Sequence, residues 1–261
     1  MKLDSSITAV VTGGASGLGA GTARLLARQG VKVTVLDVNA DAGAKIADEI
    51  GGKFHTCDVT DPGSIETALA FARDAHGQER LLVNCAGIVM GRRIMRKDRE
   101  TGARTPHDTA SFAKVISVNL IGSFSMIAQS ATAMAGLDPM NEDGERGVIV
   151  CTSSVAAEDG QIGQAAYAAS KGGVKSMMLP VARDLAKDGI RIACILPGLF
   201  ETPMFDGLPP EAKESLAATV PFPSRLGTPE EYADVVEFIC RNPMVNGECI
   251  RLDGGLRLAP R

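Results

Sequence analysis

The stretch "VTGGASGLG" at residues 11–19 decides the fold class of this chain. It joins a β-branched run at 7–12 to an Ala/Leu-rich run at 17–30, which predicts a tight turn between a buried strand and a helix. The turn carries three glycines in the spacing G-x-x-x-G-x-G, namely Gly13, Gly17 and Gly19. Glycines in such a turn let the backbone approach a pyrophosphate, and the helix N-terminus offers free N–H groups and a partial positive charge. The stretch therefore predicts a dinucleotide phosphate site, for which the alternative is a glycine-rich structural turn.

The rest of the chain repeats this alternation of β-branched and Ala/Leu-rich runs. Strands are predicted at 7–12, 31–37, 53–59, 80–87, 147–154, 190–198 and 248–255. Helices are predicted at 17–30, 40–50, 62–77, 109–135, 164–188 and 229–241. Strands that alternate with helices imply a parallel sheet covered by helices on both faces. The chain has no internal repeat and no Pro/Gly/Ser linker, so we predict a single α/β domain over residues 1–261.

Two segments interrupt the alternation, and both follow predicted strands. Residues 90–108, "MGRRIMRKDRETGARTPHD", carry six Lys/Arg and three acidic residues. Residues 199–228 are predicted to form a Pro-rich loop with a short helix. Loops after parallel strands gather at the carboxyl edge of the sheet, where ligands bind. We therefore interpret 90–108 as an insertion loop and 199–228 as a substrate-side lid.

The composition is that of an ordinary globular protein. The 261 residues are 45% hydrophobic and 22% charged, with a formal net charge of −4, which does not resemble a basic nucleic-acid binder. No apolar run approaches the roughly 20 residues of a membrane span. The predicted strand at residue 7 leaves no room for a targeting peptide. We therefore expect a cytoplasmic protein with neither nucleic acid nor a membrane as partner.

The cysteines and histidines give no sign of a metal or a disulfide framework. The six cysteines are scattered along the chain, and the three histidines are far apart in sequence. No C-x-x-C pair or Cys/His cluster is present, so no metal site is expected. Free buried thiols in a reducing compartment are the better interpretation.

An acidic residue marks the end of the second predicted strand. Asp37 stands in "VLDVNADAG", and no arginine directly follows it. An acid at this place can hydrogen-bond the adenosine ribose hydroxyls and would repel a 2′-phosphate, which favours NAD over NADP. The alternative is an N-cap for the helix 40–50, a role that Asn39 could fill instead.

Further dinucleotide contacts are predicted where the third and fourth strands end. Asp58 in "CDVTDP" could reach the adenine amino group, and a turn-capping carboxylate explains its position equally well. The stretch "NCAG" at 84–87 ends the fourth strand with small residues. Such residues would let the backbone lie against a ribose or a nicotinamide.

The stretch "YAASK" supplies the candidate chemistry. Tyr167 and Lys171 stand at i and i+4 of a predicted helix, so they share one face. A cation close to a phenol favours the phenolate, which can act as a base near neutral pH. Ser154 ends the fifth strand at the same sheet edge and could hydrogen-bond a substrate oxygen. Asn119, in "SVNLIG", could kink its helix and hold a water linked to Lys171.

Each of these residues also has a plain structural interpretation. A Tyr–Lys pair at i and i+4 is usually a helix surface pair. Ser154 could be an N-cap, and Asn119 could be a hydrogen-bonding residue of the core. The four residues in this order behind a dinucleotide turn form a much more specific pattern than any one of them.

This pattern resembles the short-chain dehydrogenase/reductase family over essentially the whole chain. The matching motifs are T-G-G-A-S-G-L-G (12–19), N-C-A-G (84–87), Asn119, Ser154, Y-A-A-S-K (167–171) and P-G (197–198). The resemblance implies a Rossmann-type, doubly wound, mainly parallel seven-stranded sheet with helices on both faces, usually in homotetramers. It places the catalytic tetrad of that family on Asn119, Ser154, Tyr167 and Lys171.

Longer stretches resemble one branch of the family, the type II 3-hydroxyacyl-CoA dehydrogenases, also described as type 10 17β-hydroxysteroid dehydrogenases. They are "GQAAYAASKGG", "LPVARDLA", "PGLFETPM", "VPFPSRLG" and "NGECIRLDGGLRL". That branch also has an insertion after the fourth strand and a Cys where many relatives have Asn in N-N-A-G. The resemblance implies cofactor contacts at Gly13, Ser16, Gly17, Leu18, Gly19, Asp37, Asp58, Val59, Cys85, Ala86, Gly87, Tyr167, Lys171, Pro197, Gly198, Phe200 and Thr202. It implies substrate contacts at Ser154, Gln164 and Tyr167.

The implied activity is the NAD-dependent interconversion of a secondary alcohol and a ketone, with a 3-hydroxyacyl-CoA as the expected substrate. Basic residues of the insertion could grip the polyphosphate of such a thioester, namely Arg92, Arg93, Arg96, Lys97, Arg99 and Arg104. A solvated loop or an oligomer contact explains this charge run at least as well.

Other activities stay open at this point. A steroid, another hydrophobic alcohol or a branched acyl-CoA would suit the same tetrad. Reduction of an acyl-carrier-protein ester by NADPH needs a cation near residue 38, and the sequence has none there. A dinucleotide-binding scaffold without turnover would not need Tyr167 and Lys171. A partner-binding role beside the dehydrogenase activity also stays open.

Overall fold

A central parallel sheet organises the computed structural model, which describes residues 1–203, 207 and 209–260. The strands are β1 Thr8–Thr12, β2 Lys32–Asp37, β3 Lys53–Thr56, β4 Leu81–Asn84, β5 Met95–Lys97, β6 Arg104–Pro106, β7 Gly147–Thr152, β8 Ile190–Pro197 and β9 Cys249–Leu252. Within the described residues, seven strands form the sheet in the order β3-β2-β1-β4-β7-β8-β9, and all neighbours are parallel. The winding reverses between β1 and β4, as in doubly wound folds. The predicted seven-stranded α/β fold is confirmed.

Helices cover both faces of this sheet. They are α1 Gly17–Arg28, α2 Ala40–Ile50, α3 Pro62–His76, α4 Thr109–Ile116, α5 Ser123–Met134, α6 Ala156–Asp159, α7 Ala165–Leu185, α8 Pro210–Ala217 and α9 Pro229–Arg241. A π-helix over Ser117–Gly122 joins α4 to α5, and a 3-10 turn over Ala186–Asp188 follows α7.

The core consists of two apolar clusters, one on each face of the sheet. One cluster contains Leu26 of α1 and Tyr232 of α9 together with Val11 of β1 and the valines of β2. The other contains Met126 of α5, Met178 of α7 and Ile149 of β7. All of these side chains are fully buried, and each contributes about 1.5–3 kcal/mol by leaving water. Because both faces are covered, the strands are continuous apolar runs rather than alternating ones.

The segment 90–108 is not the plain loop that the sequence predicts. It carries an antiparallel hairpin formed by β5 and β6, whose strand residues are all exposed. Each strand has three residues and much charge, so no period-2 apolar pattern marks it in the sequence. At the base of the hairpin, the N–H of Arg92 donates to the carbonyl of Gly163 over 2.8 Å. The hairpin therefore starts beside the turn that precedes α7.

The helix predicted over 109–135 is interrupted in its middle. Six residues between α4 and α5 are π-helical, and Asn119 is among them. Asn119 is fully buried. The irregularity expected at Asn119 is therefore a π-helical turn. Such turns are rare and often mark functional sites.

The run Thr109–Met134 is long and apolar enough to cross a membrane by length and composition, with a mean hydropathy of 1.4. Only these two measures support a span, and a core helix of a soluble protein passes the same test. Here Val115, Met126 and Met134 are fully buried in the fold. The run is therefore weak evidence for a membrane span.

The predicted lid 199–228 contains α8. Its residues 204–206 and 208 lie outside the described residues. Phe200 and Gly227 form an isolated parallel bridge near the two ends of the segment. This bridge closes the segment into a loop beside the carboxyl end of β8.

Candidate active site

The glycine turn lies between the carboxyl end of β1 and the N-terminus of α1. Gly13 has φ +63° and Gly17 has φ +50°, in the left-handed region that favours glycine. A Cβ on Gly13 would come 2.7 Å from the amide nitrogen of Ala86, and one on Gly19 would come 2.2 Å from the carbonyl oxygen of Gly13. The glycines therefore let the turn pack against the "NCAG" segment and against itself.

The N-terminus of α1 has the features of an anion site. Ser16 occupies its N-cap, but the side chain makes no capping hydrogen bond, and no acidic residue lies in the first turn. The N-caps of α2 and α3 differ, since Asn39 and Asp61 both accept a hydrogen bond from a backbone N–H of the first turn. Free N–H groups and the helix dipole favour a phosphate at such an end.

A cleft of about 1170 Å³ opens next to this helix, at the carboxyl edge of the sheet. This is where doubly wound sheets bind ligands, around the reversal between β1 and β4. Twelve of the predicted cofactor residues line the cleft, namely Gly13, Ser16, Gly17, Leu18, Gly19, Asp37, Asp58, Val59, Cys85, Ala86, Gly87 and Thr202. The glycine-lined wall, the uncapped helix end and the volume of the cleft fit a nicotinamide dinucleotide.

Three other predicted cofactor residues lie at and after the carboxyl end of β8. They are Pro197, Gly198 and Phe200. The side chain of Phe200 is buried in the core, so only its backbone is available to a ligand. A Cβ on Gly198 would come 2.8 Å from that of Asp253, so close packing also requires this glycine.

Part of the cleft wall comes from residues that the motifs do not contain. Lys114, Ser117, Val118 and Ile121 line the cleft from α4 and the π-helix. Their spacing of three and four residues puts them on one helix face. With Asn119 predicted to lie at the site, this spacing could have indicated that the same helix face lines the cleft.

Asp37 is held against the glycine turn. Its Oδ2 accepts the N–H of Ala15 at 3.1 Å, and its Oδ1 accepts the N–H of Asn39 at 2.9 Å. Asn39, not Asp37, caps α2, because its side chain accepts the N–H of Ala42 at 3.1 Å. The alternative capping role of Asp37 is therefore wrong, and the carboxylate lines the cleft instead.

Asp58 both caps a turn and lines the cleft, as its two alternative interpretations predict. Its Oδ1 accepts hydrogen bonds from the N–H of Thr60 at 2.9 Å and from the Thr60 hydroxyl at 2.7 Å, so it does cap a turn. The same residue lines the cleft. The backbone and side-chain hydrogen bonds of Thr60, helped by the charge of Lys114, lower the pKa of Asp58 below its usual value. A carboxylate is thus present on this wall at neutral pH.

Lys171 is buried beside the end of β7. Its ammonium donates to the carbonyl of Thr152 over 2.8 Å and lies 5.9 Å from the centre of the Tyr167 ring. The hydroxyl of Ser153 donates to the carbonyl of Lys171 over 2.7 Å, so strand and helix are joined at this residue. A Cβ on Gly87 would come 3.4 Å from the ammonium. Because Gly87 also lines the cleft, Lys171 lies directly beside the cleft wall.

Asn119 is held by three hydrogen bonds. Its Oδ1 accepts the N–H of Ile88 at 2.8 Å, and its Nδ2 donates to the carbonyl of Ile88 at 2.9 Å and to Oγ of Ser170 at 3.0 Å. The Ser170 hydroxyl donates in turn to the carbonyl of Tyr167 over 2.8 Å. Asn119 is therefore the core hydrogen-bonding residue of the plain interpretation, and it also ties the segment after β4 to the start of α7.

The remaining candidate residues lie directly after β7 and at the start of α7. Ser154 follows β7 and is buried, and its Oγ accepts the N–H of Ala156 at 3.1 Å. Tyr167 lies in the first turn of α7 and is partly exposed. Gln164 precedes α7, and its Oε1 accepts the N–H of Gln161 at 3.0 Å. The fold thus brings the candidate tetrad from three separate parts of the sequence to one edge of the sheet.

Comparisons with known proteins agree with this geometry. A family model described as "short chain dehydrogenase" matches residues 7–213. The chain is 48% identical to "3-hydroxyacyl-CoA dehydrogenase type-2" of Drosophila melanogaster over 253 residues, which cover 96% of this chain and 97% of that protein. It is 47% identical to the Homo sapiens protein of that name over 256 residues, 97% of this chain and 96% of that protein.

A solved structure agrees as well. The crystal structure of 3-hydroxyacyl-CoA dehydrogenase type-2 from Mycobacterium avium matches with a TM-score of 0.91 at 40% sequence identity. The match covers 98% of this chain and 97% of that one. The resemblance that the motifs predict is confirmed.

Proposed function

The chain belongs to the short-chain dehydrogenase family, and we propose that it interconverts 3-hydroxyacyl-CoA and 3-oxoacyl-CoA with NAD as its cofactor. Membership makes it an oxidoreductase that uses a nicotinamide dinucleotide. The observation that carries the proposal is that Lys171, one turn after Tyr167, lies against Gly87 in the wall of the dinucleotide cleft. The relatives named for this activity match nearly the whole chain, which supports the acyl-CoA substrate.

The catalytic roles follow from the chemistry of the tetrad. Ser154 orients the substrate hydroxyl by a hydrogen bond and donates to the oxygen as negative charge develops on it. Tyr167, as phenolate, takes the hydroxyl proton, and the nearby Lys171 ammonium favours this ionised form. When bound, a nicotinamide supplies the hydride chemistry of the reaction. Asn119 keeps the segment around Gly87 and Ile88 in place, next to the ammonium.

The preference for NAD rests on Asp37. Its carboxylate lines the cleft beside the glycine turn, where an adenosine ribose would lie. A 2′-phosphate there would meet a negative charge, and the next residue, Val38, offers no cation to compensate.

Basic side chains of the hairpin could bind the phosphates of a CoA thioester. Arg92 is paired with Asp108 at the hairpin base, so it is not the best candidate of the six. Arg93, Arg96 and Arg104 are exposed on the same segment. The hairpin base lies beside Gly163, next to Gln164, so the hairpin starts close to a residue predicted to contact the substrate.

We also propose that the chain forms a homotetramer. Helices α5 and α7 each leave a large apolar side chain exposed: Phe124 is 54% and Leu179 48% exposed. A second copy of the chain would cover such a surface in an oligomer.

A substrate panel tests the proposal. CoA esters of several chain lengths, the free 3-hydroxy acids and steroid alcohols are each offered with NAD⁺ and with NADP⁺, and initial rates are compared. The proposal predicts the highest kcat/KM for a CoA ester with NAD⁺. A higher kcat/KM for a steroid, or comparable rates with NADP⁺, would contradict it.

A further inference from the structure

The chain has only two tyrosines, and both are connected to Lys171. Tyr167 lies one helical turn before the lysine on α7. Tyr232 lies on α9, is fully buried, and belongs to no motif of the sequence. Its hydroxyl approaches the same lysine from the core through Thr152.

The Tyr232 hydroxyl lies in a polar cluster at the carboxyl ends of β4 and β7. Its oxygen lies 2.7 Å from Oγ1 of Thr152, and that hydroxyl donates to the carbonyl of Asn84 over 2.6 Å. A threonine hydroxyl has one hydrogen, so Tyr232 must donate to Thr152. The thiol sulfur of Cys85 lies 3.7 Å from the Tyr232 oxygen and 3.5 Å from the Thr152 oxygen.

The direction of these bonds matters because the same Thr152 holds the lysine. Its carbonyl accepts the Lys171 ammonium, while its side chain is fixed by Asn84 on one side and Tyr232 on the other. The peptide unit that carries this carbonyl belongs to the sheet ladder, because the N–H of Ser153 donates to the carbonyl of Ile195 over 2.8 Å. At this last residue of β7, the side-chain bonds of Thr152 add to the ladder bond, and together they hold the direction of the carbonyl.

We propose that Tyr232 and Thr152 are positioning residues, which keep the Lys171 ammonium where it favours the Tyr167 phenolate. This inference rests on the catalytic roles proposed above for Tyr167 and Lys171. It assigns to the second tyrosine a part in the reaction, although that tyrosine touches neither substrate nor cofactor. Cys85 completes the cluster and also lines the dinucleotide cleft, so the cluster connects the cleft wall to the lysine.

A hydroxyl on residue 232 is suited to this role. Burial raises the pKa of Tyr232 well above its usual value, so it stays a hydrogen-bond donor throughout the working range of an enzyme. Buried tyrosine hydroxyls are normally satisfied, and here the donor is directed at a single residue. Packing alone would be served equally well by phenylalanine.

The test uses variants that remove one hydroxyl at a time. Tyr232→Phe and Thr152→Val remove the two members of the chain of bonds, and Thr152→Ser keeps the hydroxyl. Val236→Ala, on the same face of α9 one turn later and equally buried, is the control for lost packing. For each protein, the pH profile of kcat/KM and the ultraviolet titration of tyrosinate in the cofactor-free protein are measured. The chain has no tryptophan, so the absorbance reports tyrosine.

We expect Tyr232→Phe and Thr152→Val to move the midpoints of both titrations upward by roughly 0.5–1 pH unit, because a displaced cation favours the phenolate less. Thr152→Ser should keep the wild-type midpoints, and Val236→Ala should lose stability without moving them. Unshifted midpoints in both Tyr232→Phe and Thr152→Val would overturn the inference, whatever the stability of these variants. If Tyr232→Phe does not fold, the contrast between Thr152→Val and Thr152→Ser decides alone.

A further variant separates this inference from the proposed function. Tyr167→Phe should lower kcat by roughly 10²- to 10⁴-fold and should abolish the lower-pH tyrosinate transition. An active Tyr167→Phe enzyme would contradict the proposed base, and the positioning of Lys171 would then have no purpose. An inactive Tyr167→Phe enzyme combined with unshifted midpoints in the Tyr232 and Thr152 variants would overturn only the inference.

Discussion

Among single residues, Asp37 is the one that we propose to select NAD over NADP. We expect Asp37→Ala to raise the KM for NAD⁺ and to lower the preference for NAD⁺ over NADP⁺ by roughly tenfold to a hundredfold, a loss of about 1.4–2.8 kcal/mol. The reason is that the variant loses both the ribose acceptor and the charge that repels a 2′-phosphate. Steady-state kinetics with both cofactors measure this ratio.

The matched control for this change is Asp41→Ala. Asp41 is an exposed acid in the first turn of α2, and it does not line the cleft. Its loss should leave the NAD⁺/NADP⁺ ratio unchanged. An Asp37→Ala enzyme that keeps the wild-type ratio would refute the role given to this carboxylate.

The sequence predicts individual residues well where a local pattern carries them. Asn39 is correctly predicted as the cap of α2, because capping depends on neighbours within one turn. The contact between Thr152 and Tyr232 joins residues 80 positions apart, and no local pattern reports it. Only the fold places α9 behind the end of β7, so this part of the site could not be predicted.

Among the structural elements, the π-helix contains Asn119, whose side chain bonds the segment after β4. We expect Asn119→Ala to lower the free energy of unfolding by about 2–4 kcal/mol, because it leaves the N–H and carbonyl of Ile88 without their partner. Denaturant-induced unfolding measures this loss.

Ser123→Ala is the control, since its hydroxyl only donates to the carbonyl of Asn119 over 2.8 Å. Its expected cost is about 1 kcal/mol. Equal unfolding free energies for the two variants would show that the side chain of Asn119 does not support the segment after β4.

The exposed hairpin is the element that would contact the CoA nucleotide. We expect Arg93→Ala combined with Arg96→Ala to raise the KM for a CoA ester by roughly 2- to 30-fold, since each exposed charge contact contributes about 0.2–1 kcal/mol. The KM for a truncated thioester that lacks the nucleotide should not change. Equal KM values for the CoA ester in the double variant and the wild type would rule out a hairpin contact, and a solvated hairpin or an oligomer contact would explain its charge.

Helices and strands are predictable to the extent that they are periodic. The seven sheet strands and the long helices follow from apolar runs, because each is buried against the core. Strands β5 and β6 have three residues each, of which half are charged, and escape the prediction. The π-helix also escapes it, since "SVNLIG" has the composition of ordinary α-helix.

For the molecule as a whole, the winding of the sheet assembles the site. Right-handed crossovers bring the carboxyl ends of β1, β2, β4 and β7 to one edge, so that the glycine turn, Asp37, "NCAG" and Ser154 meet there. This convergence could be expected from the alternation of strands and helices. The distances between the side chains could not, because they depend on the packing of α7 and α9.

The proposed association of several copies would also be a property of the whole molecule. We expect Phe124→Glu to reduce the molar mass in solution to that of a smaller assembly, because a charge would be buried in the contact between copies. Ile94→Glu, at a hairpin residue that is 69% exposed, should leave the mass unchanged. Light scattering of the purified proteins measures both, and a Phe124→Glu protein with the wild-type mass would exclude this face from the oligomer contact.

The central claim is that Tyr167 is the base of an NAD-dependent 3-hydroxyacyl-CoA dehydrogenase. Its most direct test is the initial rate of NADH formation from NAD⁺ and 3-hydroxybutyryl-CoA, measured for the wild-type protein and for Tyr167→Phe. We expect a measurable rate of NADH formation for the wild type and a kcat lower by roughly 10²- to 10⁴-fold for the folded variant, because the ring remains and only the acid–base group is lost. Tyr167→Phe turning over at the wild-type rate, or a wild-type protein that forms no NADH from this ester, would contradict it.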